Sequence, residues 1–447
     1  MKDLKGKKVL VLGAARSGRA AAGFLLKKGA EVTVYDREAE SFRGGFPGEA
    51  VMLSGTAPED VQTEGFDMAV ASPGFPPSNP LFGKLAALDI PVISELELGL
   101  RFLGKGVRIA AVTGTNGKTT TALMLGHLTG GTVAGNIGKP LTRMIDEVPD
   151  TGILVLEVSS FQIPLSPSLS PDAGILLNLF PEHTEWHGSF KEYWKAKRKM
   201  FERMSPGSTG IFNADMEKVG DFVSGLECGK VFFSSERRVP GGVYADGNDI
   251  VVDISGRERR FKRPDPRNIP GTHNTENLMG ALAACAALGV EEIPGMDGFR
   301  LPPHRLERFR EGSLEFINDS KATNPESVRR ALESVDAPFI LLMGGKSKKV
   351  SLGKVPELAS GRAYAVILFG ESRGELEQFF PENLRVFKAP GLREAVRLAV
   401  ETAPRGCSIL LSPGGASFDE FEDYTHRGEK FREWAKEFTG KKEEKAV

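Results

Sequence analysis

Cysteine is scarce in this 447-residue chain. Its three cysteines, Cys228, Cys285 and Cys407, stand far apart in apolar or small-residue surroundings, which excludes a disulfide framework and suits buried thiols in a reducing compartment. Net charge is equally slight. Lysine and arginine total 58 against 59 acidic residues, leaving −1 at pH 7, so no global basic field attracts nucleic acid and no polynucleotide partner is expected. Long apolar runs are missing too: none reaches the ~18 residues that span a bilayer. The apolar stretch near the start is interrupted by Arg16 and Arg19 too early for a signal peptide and reads as a first strand. These absences point to a cytoplasmic protein without membrane insertion. What remains is a globular composition, 40% hydrophobic and 26% charged, in a chain long enough for about three domains.

The most informative stretch is 107–122, V-R-I-A-A-V-T-G-T-N-G-K-T-T-T-A. An apolar strand runs into the turn Gly114-Thr115-Asn116-Gly117, whose backbone N–H groups can face an anion, and a helix follows with its positive end toward the same place. Lys118 is placed to reach terminal phosphates and the Thr119 hydroxyl to ligate Mg²⁺, with Thr120 beside it. The spacing is two residues shorter than G-x-x-x-x-G-K-[ST], which would put a glycine at Val112.

The flanking segments read as α/β units. Residues 7–12, a turn at 13–18, a helical pattern over 20–28 and a strand at 31–35 form a βαβ unit. Ala15 replaces the middle glycine of a dinucleotide fingerprint, which argues against nicotinamide. A looser nucleotide-diphosphate site is open to Arg16, Ser17 and Asp36, as is a turn with no ligand. The loop Ser72-Pro73-Gly74 lies beyond another strand, and a boundary is placed near Ser94. Past the phosphate loop, Glu157 ends an apolar strand; a metal shell or a salt-bridged structural acid would each explain a carboxylate there. His183 and His187 follow, with one of them a candidate for a Mg²⁺ shell and neither for a transition-metal site. The helix 193–204 is dense in cations and reads as a solvated face. Residues 207–270 look like a β-rich insertion. Asn274 and Asn277, one helical turn apart, either read a base or ribose or serve as a cap. From about Leu301, three strand-then-glycine units predict a second doubly wound sheet, whose loops offer Lys346, Lys348 and Ser417 to a ligand.

Taken in order, these residues resemble the Mur ligases, ATP-dependent amino-acid-adding enzymes of bacterial peptidoglycan synthesis. Thr113 to Thr120 is similar to the family's shortened phosphate loop. Gly135-Asn136-Ile-Gly138, Glu157 to Gln162, Asn178 with His183, His273-Asn274 with Asn277, His304-Arg305 and Asn318 to Asn324 continue the match. The segment from Ser412 to Gly428 resembles the branch that adds D-glutamate. Three places depart from the pattern: Glu182 stands where the family usually has aspartate, the loop after Gly345 carries three lysines, and residues 413–416, Pro-Gly-Gly-Ala, are more glycine-rich than the common form.

The resemblance implies an α/β fold of three domains: 1–94, Rossmann-like, for a UDP-sugar; 95–300, a P-loop ATPase-type sheet with a β-rich portion; and 301–447, Rossmann-like, for the amino acid. It implies ATP, Mg²⁺ (two ions), and UDP-N-acetylmuramoyl-L-alanine and D-glutamate as substrates, with a monomer expected. Lys118, His183, Lys197, His304 and Lys321 would then line the reaction centre, with Lys197 carbamylated. Thr119, Glu157, His183 and Lys197 would hold metal. ATP would meet Gly114 to Thr120, Asn274, Asn277, Arg305 and Asp319. Arg16, Ser17, Asp36, Arg37, Gly74 and Asn136 would hold the UDP-sugar, and Thr323, Lys348, Ser417, Phe418 and Tyr424 the glutamate. Two other readings stay open, a folylpolyglutamate-synthase-like ligase and a nucleotide-binding regulator that no longer catalyses.

Overall fold

Strand residues of 9–12 are buried without exception, the pattern of a parallel sheet covered on both faces. Their side chains alternate between two cores. Val9 and Val11 pack with Val32, Val34 and Val70 on one side, while Leu10 and Leu12 pack with Tyr35, Ala69 and Leu81 on the other, as a period of two requires. The computed structural model describes residues 3–38, 40, 46, 49–266, 268–346 and 351–444. Among them are three sheets, of five, nine and six strands.

The first sheet is parallel throughout, in the order Val51–Leu53, Glu31–Tyr35, Lys8–Leu12, Met68–Ala71, Val92–Ser94. The chain order reverses beside Lys8–Leu12, which makes a switch point at the carboxyl edge of these strands. In the second sheet Arg108–Thr113 lies between Ala173–Leu176 and Ile153–Glu157, with Thr132–Gly135 at the edge beyond. The expected β-rich insertion is part of this sheet. Thr209–Asn213 and Gly229–Ser234 continue it in parallel, and Val243–Asp246, Asp249–Ile254 and Arg257–Lys262 finish it as antiparallel hairpins. The third sheet runs Glu307–Glu311, Leu314–Asn318, Ser408–Gly414, Phe339–Gly344, Ala363–Phe369, Val386–Lys388, parallel except for its first pair. It again divides its side chains between two cores, Leu341 and Met343 facing one and Ile340 and Leu342 the other.

The chain forms two compact units, 1–263 with 275–297, and 264–274 with 298–447. Ser94 falls inside the first unit, where a seam of buried polar contacts joins the first two sheets. Ser94 Oγ lies 2.6 Å from Ser166 Oγ and caps the helix Glu95–Leu100 by accepting the Glu97 N–H. Glu95 accepts both the N–H and hydroxyl of Thr142, at 2.7 and 2.6 Å. Glu97 accepts from Ser168 and from Arg101. These partners offset the cost of burying two carboxylates. All three cysteines are buried and free, and no described helix is long and apolar enough to cross a membrane.

Candidate functional site

The apolar strand Arg108–Thr113 delivers residues 114–117 to the carboxyl edge of the second sheet, and the helix Lys118–Thr129 starts directly after them. Gly117 occupies the left-handed region at φ 88°. A Cβ there would lie 2.3 Å from Asn277 Oδ1, so only glycine fits the turn. Asn178, at the end of the neighbouring strand, grips the loop in both directions: its Oδ1 accepts the Asn116 N–H at 2.8 Å and its Nδ2 donates to the Asn116 carbonyl at 3.1 Å. Thr115 Oγ1 meets Tyr193 OH at 2.9 Å. Lys118 Nζ bends back to the carbonyls of Gly114 (3.0 Å) and Thr115 (2.7 Å). Thr119 Oγ1 donates to Glu157 Oε2 at 2.7 Å. The other oxygen of Glu157 accepts Asn136 Nδ2 at 3.0 Å.

Lys197 is not part of a solvated face. Its helix, Phe190–Glu202, buries Tyr193, Ala196, Lys197, Met200 and Phe201, an apolar stripe at i, i+3, i+4, i+7 and i+8 with a lysine in it, while Lys195 and Lys199 stay exposed. Lys197 Nζ donates to Gly114 O at 2.9 Å and Thr113 Oγ1 at 3.3 Å. Two lysine amines thus converge on one carbonyl oxygen. Burial, reinforced by the Lys118 cation, holds the Lys197 amine well below the usual lysine range. The neutral form is nucleophilic.

His183, at φ 57°, opens the short helix Thr184–His187 and joins an aromatic cluster. Its ring lies 4.8 Å from Phe161, and Phe161 stacks on His187 at 5.5 Å. Burial first, then the Lys197 and His183 charges, push His187 down to about 4, and its Nε2 lies 2.9 Å from Ser160 Oγ. Among the described residues no three His, Cys, Asp or Glu side chains converge as a metal cage. The hard oxygens of Thr119 and Glu157 suit Mg²⁺, which keeps water and phosphate oxygens as its other ligands.

At the switch point of the first sheet, Arg16 and Ser17 begin the helix Arg16–Lys27, Asp36 and Arg37 follow the second strand, and Gly74 follows Ser72. Asp36 Oδ2 accepts the Ala14 N–H at 2.8 Å and its Oδ1 the Glu38 N–H, so this carboxylate shapes the turn. Arg16 reaches the Asn136 carbonyl at 3.4 Å. The chain Arg16, Asn136, Glu157, Thr119 therefore connects the switch point to the phosphate loop.

In the other unit, Asp319 sits beyond Leu314–Asn318 and accepts Ser412 Oγ at 3.0 Å and the Leu306 N–H at 3.3 Å. Burial pushes its carboxyl up to about 7 against these bonds and the charge of Arg305. His304, at φ 64°, places Nδ1 2.9 Å from Asn318 Nδ2, and burial lowers its basicity. Lys321 Nζ stands 3.9 Å over the Tyr424 ring. Thr323 is half-buried, Ser417 buried and Phe418 exposed. Asn274 Nδ2 donates to Pro270 O at 2.7 Å, a local contact of a helix start. Lys348 lies outside the described residues. Asn178, Tyr193 and Arg427 are the structural partners that the sequence reading did not single out as site residues. The i, i+4 spacing of Tyr193 and Lys197 was the available signal for one of them.

Fold and loop together define a class: a multi-sheet α/β protein whose second sheet carries a glycine-lysine-threonine phosphate loop. Residues 112–285 match the Mur ligase middle domain and 304–415 the Mur ligase, glutamate ligase domain. UDP-N-acetylmuramoylalanine–D-glutamate ligase of Pelotomaculum thermopropionicum is 36% identical, covering 97% of this chain and 98% of the relative. The protein of the same name from Syntrophus aciditrophicus is 35% identical, covering 98% and 99%. The crystal structure of MurF ligase from Thermotoga maritima in complex with ADP shares the fold at a TM-score of 0.61 and 17% identity, covering 99% of this chain and 97% of that one. The chain belongs to the Mur ligase family.

Proposed function

We propose that the protein is an ATP-dependent ligase that joins D-glutamate to UDP-N-acetylmuramoyl-L-alanine in cytoplasmic peptidoglycan precursor synthesis, acting as a monomer. The observation that carries this reading is the convergence of Lys118 and Lys197 on Gly114 O beside the Thr119–Glu157 pair. That is a concentration of amine and metal-binding groups suited to a nucleotide phosphate. Similarity to D-glutamate ligases across almost the whole chain favours this reading over folylpolyglutamate synthesis and over a regulator without catalysis.

In the proposed reaction, an L-alanyl carboxylate oxygen attacks the γ-phosphorus of ATP, giving an acyl phosphate and ADP. The D-glutamate amine then attacks the carbonyl carbon and phosphate leaves. Residues 1–94 would hold the UDP-sugar through Arg16, Ser17, Asp36, Arg37 and Gly74, with Asn136 contributed from the second sheet. Residues 95–300 would hold ATP through 114–120, Asn274 and Asn277. Residues 301–447 would bring Arg305 and Asp319 to the nucleotide, His304 and Lys321 to the reaction centre, and Thr323, Lys348, Ser417, Phe418 and Tyr424 to glutamate.

Lys118 would neutralise phosphate charge and fix the in-line geometry on which such transfers depend. Thr119, Glu157, His183 and a modified Lys197 would hold Mg²⁺, two ions in all, whose chemistry is to screen charge on the phosphates. Burial and the neighbouring Lys118 cation lower the basicity of the Lys197 amine, which favours the unprotonated form that adds CO₂ with loss of a proton, and the carbamate so formed would supply an anionic oxygen ligand. Phosphate release over a panel of amino acids tests the proposal. Release should require both UDP-N-acetylmuramoyl-L-alanine and D-glutamate, and equal release with other amino acids overturns it. In CO₂-depleted buffer the rate should fall and recover with bicarbonate; an unchanged rate counts against the carbamate.

A further inference from the structure

Among the described residues Arg427 is the largest side chain wholly removed from solvent. Its guanidinium makes three hydrogen bonds: Nε to Ser320 Oγ at 3.0 Å, Nη2 to Ser320 O at 2.8 Å and Nη1 to Gly415 O at 3.2 Å. Ser320 Oγ passes its own proton to the Tyr424 carbonyl at 2.8 Å. A Cβ on Gly345 would lie 3.1 Å from Nη1, so the fork also lies against the turn after Phe339–Gly344. The three turns it meets leave adjacent strands of the third sheet, Leu314–Asn318, Ser408–Gly414 and Phe339–Gly344. Acidic groups facing it are Asp319, Asp419 and Glu420; burial lowers its basicity to about 10, which leaves it a cation near neutrality.

Burying a guanidinium costs several kcal/mol, and an apolar side chain of similar volume often serves a fold as well or better. What an apolar residue cannot supply is a rigid planar fork that fixes carbonyls at set positions. We propose that Arg427 is a positioning residue of the amino-acid subsite, holding the loop that carries Lys321 and Thr323 at a fixed spacing from the loop that carries Ser417. This rests on the reading above, in which Thr323 and Ser417 receive the carboxylates of D-glutamate. Arg427 is itself buried, and its effect passes through Ser320 and Gly415. Groups placed on rigid elements must keep their spacing to bind a ligand with two carboxylates. The UDP-sugar subsite is proposed on the first sheet, outside this network, and supplies an internal control.

The test uses the full-length enzyme with Arg427→Met, which removes the fork, and Arg427→Lys, which keeps the charge. Arg427→Met should raise KM for D-glutamate at least about 10-fold while KM for UDP-N-acetylmuramoyl-L-alanine stays within about twofold, and Arg427→Lys should recover only part of the loss. An unmoved D-glutamate KM in a variant of lowered thermal stability overturns the proposal, as does an equal rise in both constants. If the Met variant does not fold, Ser320→Ala, which removes one acceptor of the fork, should raise the D-glutamate KM alone by about threefold, and no rise overturns the proposal. A wild-type enzyme inert toward D-glutamate overturns the functional reading instead, so the two failures are told apart.

Discussion

Asp319 shows how a residue's surroundings change what its identity suggests. A free aspartate titrates near 3.9, while the buried Asp319 carboxyl holds its proton to about 7. Between those values the folded state binds more protons than the unfolded chain, so the contribution of Asp319 to stability is fully present below about pH 4 and is lost as pH rises through about 7. Asp319→Asn should therefore flatten the decline in the urea-unfolding free energy between about pH 4 and 7, by an amount on the order of a few kcal/mol at most. A variant with the wild-type slope contradicts this. Lys118, Thr119 and Glu157 were legible in the sequence because their spacing along a strand, turn and helix carries its own geometry. Lys197 was assigned from a family likeness alone, since a run of cations masks the one lysine that lies on the apolar stripe.

At the scale of elements, the phosphate turn depends on a conformation that side chains resist. Gly117→Ala would place a Cβ in the left-handed region and 2.3 Å from Asn277 Oδ1, at a cost of about 1–3 kcal/mol. The variant should melt lower and bind ADP at least about 10-fold more weakly by calorimetry, because the turn must shift to relieve the contact. Unchanged ADP affinity argues against the loop as the nucleotide site. Strands buried on both faces, such as 9–12 and 339–344, are readable as continuous apolar runs. The strands of 209–234 were not readable as members of the second sheet. Local alternation reports which face a side chain takes, and the choice of pairing partner depends on contacts far away in sequence.

At the scale of the molecule, three sheets are distributed over two compact units. The polar seam of Ser94, Glu95 and Glu97 with Ser166, Thr142 and Ser168 lies where the sequence suggests only a boundary near Ser94. Its partners lie 47 to 72 residues away. Activation of a carboxylate by phosphoryl transfer has a direct isotopic test. UDP-N-acetylmuramoyl-L-alanine labelled with ¹⁸O in its L-alanyl carboxylate is turned over with ATP and D-glutamate, and the released phosphate is analysed by mass spectrometry. Passage through an acyl phosphate predicts one ¹⁸O atom in each phosphate released; phosphate that carries no label from the substrate contradicts it.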